Sequence, residues 1–366
     1  MPKLPSVAQK LRQYRALVPP RFANRSFIKT KRLAKHSPAV TLAIAEVSCR
    51  FCCTPAKETT VSTDHSTQLQ DETYPSTRKQ QTVAGPVRFS GRSLFMGYET
   101  TVTLLPADSN TGIIFRRVDL TNAPDIPATV EFIAKVPRRT ALAVTEDVRV
   151  ETVEHLMAAL CGLQVDNCIV EINAPELPAY DGSCRDFCDG ILQAGLVQLD
   201  ADAISISIGG TTNVRSDDGK QTLLLRPYAQ RCAAITYQLY YGRNAVVTPQ
   251  IYSAEITPKI FYEEVSAART FVLQSEIKAL KAMGYGRHLT SKDIVIVGDD
   301  GVIDNALRYP DEAARHKLLD CVGDLALSGT PFVGHVTACR SGHHLNHELA
   351  RVLTNLKQAT ELRNAA

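Results

Sequence analysis

The sequence predicts an α+β protein made of two similar modules, and three observations carry that expectation. From residue 82 onward, short β-like runs separated by turn residues alternate only loosely with helix-forming windows. Loose alternation with hairpin-like spacing favours α+β layers over a doubly wound parallel sheet. The same succession begins again near residue 201. No glycine-rich dinucleotide or phosphate-loop fingerprint stands at any strand-to-helix junction.

In the first module, residues 82–200, strands are expected at 82–89, 99–105, 112–117 and 129–132. Residues 148–151 lead into a helix at 152–161 that Gly162 closes. An alternating β-branched strand at 167–172, a Pro- and Gly-rich loop at 173–183 and a helix at 184–194 complete it. The second module, residues 201–360, offers strands at 204–208, 221–225 and 233–240, with further short ones to about 257. A helix at 273–283, a strand at 293–297, a helix through 316–324, a strand at 332–337 and a polar helix at 345–356 follow. Each module contributes a helix with chemically capable side chains, so a site at their interface is expected.

Composition narrows the function class. A hydrophobic fraction of 44% and a charged fraction of 22% over 366 residues describe a soluble globular chain with room for two cores. The nearest approach to a membrane span, residues 39–47, is interrupted by Glu46 and is far short of the roughly 18–20 residues required. The net charge of +3 conceals a division. Residues 1–57 hold twelve Lys or Arg and one acid, leaving 29 basic and 37 acidic residues in the rest. An acidic body argues against tracking nucleic-acid phosphates.

Residues 1–81 lack sustained periodicity and read as a disordered basic and polar extension. A transit peptide, an upstream extension from an early start codon and a basic arm for an anionic partner all fit it, and no apolar core of a secretory signal is present. Ten cysteines show no disulfide framework, which favours a reducing compartment. Cys49-x-x-Cys52 and Cys184-x-x-x-Cys188 have zinc-compatible spacings without a matching second pair.

The helix through 316–324 sets His316, Asp320 and Asp324 within an arc of roughly 80° at 100° per residue. Such a face either grips a cation or is simply solvated, and both readings stay open on spacing alone. His155 follows Glu154 on an otherwise apolar helix, where the histidine is placed to bind a metal and the glutamate to reach a water from the side. If His155, His316 and Asp320 meet, three protein ligands leave a fourth position for water, with Glu154 as candidate base. His343 follows Gly342, which permits a sharp turn. His36, His65, His288, His335 and His347 read as solvated or structural. No Gly-x-Ser-x-Gly elbow is present.

The runs Thr152-Val153-Glu154-His155-Leu156-Met157-Ala158-Ala159-Leu160, Asp166-Asn167, Asn173-Ala174-Pro175-Glu176 with Asp181-Gly182-Ser183, Ala268-Arg269-Thr270-Phe271, Arg315-His316-Lys317 through Asp324, and Ser341-Gly342-His343 resemble the UDP-3-O-acyl-N-acetylglucosamine deacetylases. These are the zinc amidases that commit bacteria to lipid A synthesis. The resemblance spans about residues 82–356, keeps the family's motif order and is silent on residues 1–81. It implies two α+β modules with helices layered between the sheets, and zinc held by His155, His316 and Asp320. It further implies Glu154 as general base, His343 as general acid, Asp324 as the group orienting His343, and Thr270 as oxyanion donor. Phe271 would lie against the sugar ring and Lys317 would meet polar or phosphate groups of the substrate. The resemblance implies work in the bacterial cytoplasm, whereas a eukaryotic copy with this basic arm would suggest an organelle; a monomer is expected.

Two positions depart from the family pattern. The turn Gly91-Arg92-Ser93-Leu94-Phe95-Met96-Gly97 carries Phe95 where the family has a histidine, and residues 284–291 replace a Gly-Gly-Ser-type turn in the insert that forms the acyl passage. A catalytically silent relative that binds a nucleotide sugar or a protein partner is the alternative from another class, and an anionic-surface binder through the basic arm is a third.

Overall fold

The computed structural model describes residues 77–243 and 245–364. The expected extension, including Cys49 and Cys52, lies outside the described residues except for its last five. Those five belong to strand β1 (Thr77–Val83), which pairs antiparallel with β10 (Leu196–Ile204). The strand expected at 82–89 is therefore two strands. Gly85-Pro86 interrupts the run, since proline offers no amide hydrogen to a ladder, and β2 (Val87–Arg92) enters a different sheet.

Two mixed sheets share one strand pattern. The first contains β2, β3 (Glu99–Pro106), β9 (Cys168–Ile172), β4 (Ile113–Arg117) and β5 (Ile126–Pro127) in that spatial order. The second runs β12 (Thr212–Arg215), β13 (Thr222–Arg226), β19 (Phe332–Cys339), β14 (Ala233–Leu239) and β15 (Gln250–Glu255), with β11 (Ile206–Ser207) added to β19. In each, a hairpin lies antiparallel to the central strand, β9 or β19, which then pairs parallel with β4 or β14. A helix precedes each central strand, α1 (Glu154–Gly162) or α4 (Glu312–Ala326), and another follows it, α2 (Arg185–Ala194) or α5 (His343–Asn364). The boundary expected at 200/201 falls inside β10.

Helices α1 and α4 pack on one another, α2 covers β2, α4 covers β14 and β15, and α5 covers β12 and β13. One contiguous apolar cluster joins the inner faces of both sheets to these helices, with Leu104, Leu156, Leu318, Leu319 and Val336 all fully buried. Each such leucine contributes about 1.5–3 kcal/mol relative to an exposed one. The face of α4 that carries His316, Asp320 and Asp324 is buried as completely as its apolar face, so the solvated-face reading does not hold. Cys184 and Cys188 are buried thiols at the start of α2 and within it.

Two inserts decorate this frame. Before α1, β6 (Ile133–Ala134), β7 (Ala141–Ala143) and β8 (Arg149–Glu151) form a small antiparallel sheet. Residues 129–132, expected as a strand, include a single 3-10 turn at Val130–Phe132; a short apolar run does not by itself distinguish the two. Before α4, β16 (Phe271–Leu273) pairs parallel with β17 (Val295–Gly298), which pairs with β18 (Gly301–Val302). Helix α3 (Gln274–Ala282) lies against β16 and β17. A separate cluster built from Leu94, Val272 and Ile294 with Phe95, Leu280 and Leu289 fills this insert.

Candidate active site

The first turn of α1 is held in place by the loop preceding β2's neighbour strand and the segment after β9. Thr152, in the left-handed region at φ 58°, donates its hydroxyl hydrogen to Glu176 Oε1 at 3.1 Å. Glu176 also accepts from the backbone amides of Phe95 and Met96 at 2.7 and 3.0 Å. Glu154 and His155 therefore leave the helix start in fixed directions, and both are buried.

From α4, His316 and Asp320 project toward His155. The Nε2 atoms of His155 and His316 lie 3.7 and 3.4 Å from Asp320 Oδ1, and one ligand atom from each residue falls within 4.8 Å of the others. His316 Nδ1 faces the Ala268 carbonyl at 3.1 Å, so its proton is spent there and Nε2 is left as a ligand. Burial, reinforced for His155 by the His316 ring, pushes both imidazoles below their ordinary pKa, His155 to about 3, which keeps them neutral. Asp320 Oδ1, at the centre of the trio, is buried and has no hydrogen-bond partner. An orphaned carboxylate oxygen facing two neutral imidazole nitrogens fits a divalent metal ion. Lys317 is half-buried beside them and donates from Nζ to Asp320 Oδ2 at 2.6 Å. Burial alone would lower its pKa; the Asp320 charge reverses that and holds the ammonium.

On the other side of the cluster stands a second polar group. His343, the first residue of α5, donates from Nδ1 to Asp324 Oδ2 at 2.8 Å, and its Nε2 lies 4.0 Å from Glu154 Oε1. A helix N-terminus and burial both disfavour imidazolium, yet the buried Asp324 carboxylate, with Glu154 beyond it, raises His343 to about 9. Glu154 is raised to about 7 by burial, with the Asp324 and Asp320 charges adding to it and His343 opposing.

The structure thus brings Glu154, His155, His316, Lys317, Asp320 and His343 to one cavity of about 710 Å³, with Asp324 behind His343. Thr270 and Phe271 line the same cavity, Thr270 fixed by backbone bonds to Gly182 and Val295, and Phe271 edge-on to Tyr241 at 6.3 Å. Much of the remaining wall comes from the second insert, including Ile277, Leu280 and Leu289. Phe95 packs edge-on to Tyr285 at 5.3 Å, and the Arg139 guanidinium lies 4.3 Å from its ring centre.

Two residues with no signal of their own in the sequence, Thr140 and Asn346, join His347 here. Thr140, Asn346 and His347 surround Asp324: Asn346 donates to Oδ2 at 2.8 Å, Thr140 to Oδ1 at 2.5 Å, and His347 Nε2 lies 2.9 Å from the Thr140 hydroxyl. His347 is 8% exposed and belongs to this network, not to a solvated helix face. Its spacing of four from His343 was the available signal, because α5 begins at His343 and not at residue 345. His335 keeps a structural role, hydrogen-bonded to the Thr236 hydroxyl, and His288 lies against Gly97.

Two histidines and a carboxylate on a buried floor, flanked by a carboxylate raised toward neutrality by burial and an imidazole kept protonated by its carboxylate partner, define the class of metal-dependent hydrolases. A family model described as LpxC, UDP-3-O-acyl N-acetylglycosamine deacetylase, matches residues 80–355, and the chain belongs to that family. Among similar proteins, the UDP-3-O-acyl-N-acetylglucosamine deacetylase of Geotalea uraniireducens (strain Rf4) is 37% identical over 270 residues, 74% of this chain and 86% of that protein. The enzymes of the same name from Geobacter sp. (strain M21) and Myxococcus xanthus (strain DK1622) are 38% and 35% identical, over 75% and 76% of this chain and 88% and 87% of theirs. Among the described residues no helix is long and apolar enough to cross a membrane.

Proposed function

We propose that this chain hydrolyses the N-acetyl group of UDP-3-O-acyl-N-acetylglucosamine, releasing acetate and UDP-3-O-acyl-glucosamine for lipid A synthesis, with zinc held by His155, His316 and Asp320. The observation that carries it is the meeting of that ligand trio with Glu154 and the His343–Asp324 pair on one cavity whose other wall is largely apolar. On this reading the halves 82–200 and 201–360 are two copies of one module, a view supported by their matching strand order.

Zinc bound there would polarise the acetamide carbonyl and acidify a water. Glu154 takes a proton from the attacking water as its oxygen adds to the carbonyl carbon, a task suited to a carboxylate poised near neutrality. The Thr270 hydroxyl donates to the oxygen that gains charge. His343, kept protonated by Asp324, gives its Nε2 proton to the amine as the C–N bond breaks. An amine leaves poorly until protonated, so a separate acid is required beside the base. Phe271 is assigned to the sugar ring and Lys317 to polar or phosphate groups of the substrate. A monomer acting in the cytoplasm belongs to the same reading. Metal analysis together with acetate release from UDP-3-O-acyl-N-acetylglucosamine tests it: zinc-dependent acetate release supports the reading. Binding of the nucleotide sugar without acetate release points to a silent relative.

A further inference from the structure

We propose that Thr140 is a positioning residue that couples the base side of the site to the acid side, its amide fixing Glu154 and its hydroxyl fixing Asp324 and, through it, His343. The proposal rests on the assignment of Glu154 and His343 as base and acid. Thr140 is fully buried. Its backbone N–H donates to Glu154 Oε2 at 3.0 Å, and its carbonyl accepts from Val153 N–H at 3.2 Å, just ahead of α1. One residue thus holds the start of α1 and the carboxylate that α1 presents. Its side chain reaches α4 and α5 instead, at 2.5 Å from Asp324 Oδ1, 2.9 Å from His347 Nε2 and 3.2 Å from His343 Nδ1, whose proton the Thr140 oxygen can share with Asp324.

Proton counting orients this network. A threonine hydroxyl has one hydrogen to give. Asp324, held well below the usual carboxylate range by His343 and His347 against the cost of burial, is ionised and can only accept. The Thr140 hydrogen therefore goes to Asp324 Oδ1, and its oxygen must accept from His347, which fixes the proton of His347 on Nε2. The other carboxylate oxygen accepts from His343 Nδ1 and from Asn346 Nδ2, both at 2.8 Å. With Asp324 held on both oxygens it cannot rotate, so His343 keeps its proton on Nδ1 and presents Nε2 toward Glu154. Arg138, at φ 66°, turns the chain into this position.

The test compares Thr140→Val, which keeps the shape and the backbone amide but removes the hydroxyl, with Thr140→Ser, which keeps the hydroxyl. Orienting partners of active-site groups are typically worth 10–100-fold, so Thr140→Val should lower kcat by about that factor with KM and zinc content unchanged, and Thr140→Ser should restore it. In a His343→Ala background, Thr140→Val should add no further loss. Imidazole ¹⁵N shifts of the metal-free protein supply a second readout: His347 protonated on Nε2 in the parent and in Thr140→Ser, and mixed between tautomers in Thr140→Val. If the valine protein does not accumulate, the serine and parent spectra still decide, because a His347 proton on Nδ1 overturns the arrangement. Unchanged kcat in Thr140→Val, or a loss equally large without His343, overturns the proposal. Full turnover in His343→Ala alone instead overturns the acid assignment, and the proposal with it.

Discussion

Gly323 on α4 rests directly on the backbone of Glu154 on α1: a Cβ at Gly323 would stand 2.0 Å from the Glu154 carbonyl oxygen and 2.8 Å from its carbon. Both neighbours are backbone atoms, which cannot swing aside. Only glycine lets the two helices approach closely enough for His316 and Asp320 to reach His155 across the gap. Gly323→Ala should force them apart, costing at least about 1–3 kcal/mol as overpacking does. Thermal denaturation should show the loss, and zinc content should fall with it. An alanine protein with unchanged melting and full metal would remove this contact as the determinant of the site.

The pairs that sequence made legible are those set by local periodicity. His316, Asp320 and Asp324 share a helix face by spacing, and Glu154-His155 sits on an apolar helix whatever it packs against. The meeting of α1 with α4 is non-local, and no spacing rule supplies it. Thr140 was illegible for the same reason, since it is 184 residues from Asp324 and gains its role from a turn after a left-handed residue. His347 was legible in principle, but placing the helix start at 345 hid its relation to His343. The division of 82–89 into two strands follows from Gly85-Pro86, and the pairing of β1 with a strand more than a hundred residues away could not be read from either segment.

Lys317 satisfies Asp320 Oδ2, which leaves Oδ1 without a hydrogen-bond partner and open to the proposed cation. Removing one member of a buried ion pair leaves an uncompensated charge, a loss of about 3–5 kcal/mol. Lys317→Met should therefore lower the melting temperature of the metal-free protein strongly and that of the zinc-loaded protein much less. Melting curves with and without a chelator measure the difference; equal shifts in both forms would show that Lys317 and the metal do not share the carboxylate.

The apolar wall contributed by α3 should act on binding more than on chemistry. Leu280→Glu places a charge where an acyl chain would lie, and burying it against methylenes is unfavourable. KM for the acylated substrate should rise by roughly tenfold or more, each factor of ten corresponding to about 1.4 kcal/mol. Turnover of a short-acyl analogue should change little. Equal effects on long and short substrates would show that the chain runs elsewhere.

Glu154 and His343 should give the reaction a bell-shaped pH profile with known sides. As the proposed base Glu154 would work ionised, and burial has raised it to about 7, so kcat/KM should climb as pH rises through that value. As the proposed acid His343 would work protonated; burial opposes its charge but Asp324 holds it up to about 9, so activity should fall as pH passes that value. Asp324→Asn removes the charge that sustains the imidazolium while keeping the shape, and the alkaline limb should then move to lower pH. Stability follows the same pair. The raised histidine stabilises the fold fully below its ordinary pKa of 6.5, and that contribution is lost as pH climbs through about 9. In Asp324→Asn the alkaline loss of stability should shrink. An alkaline limb that stays in place in Asp324→Asn would assign it to a group other than His343.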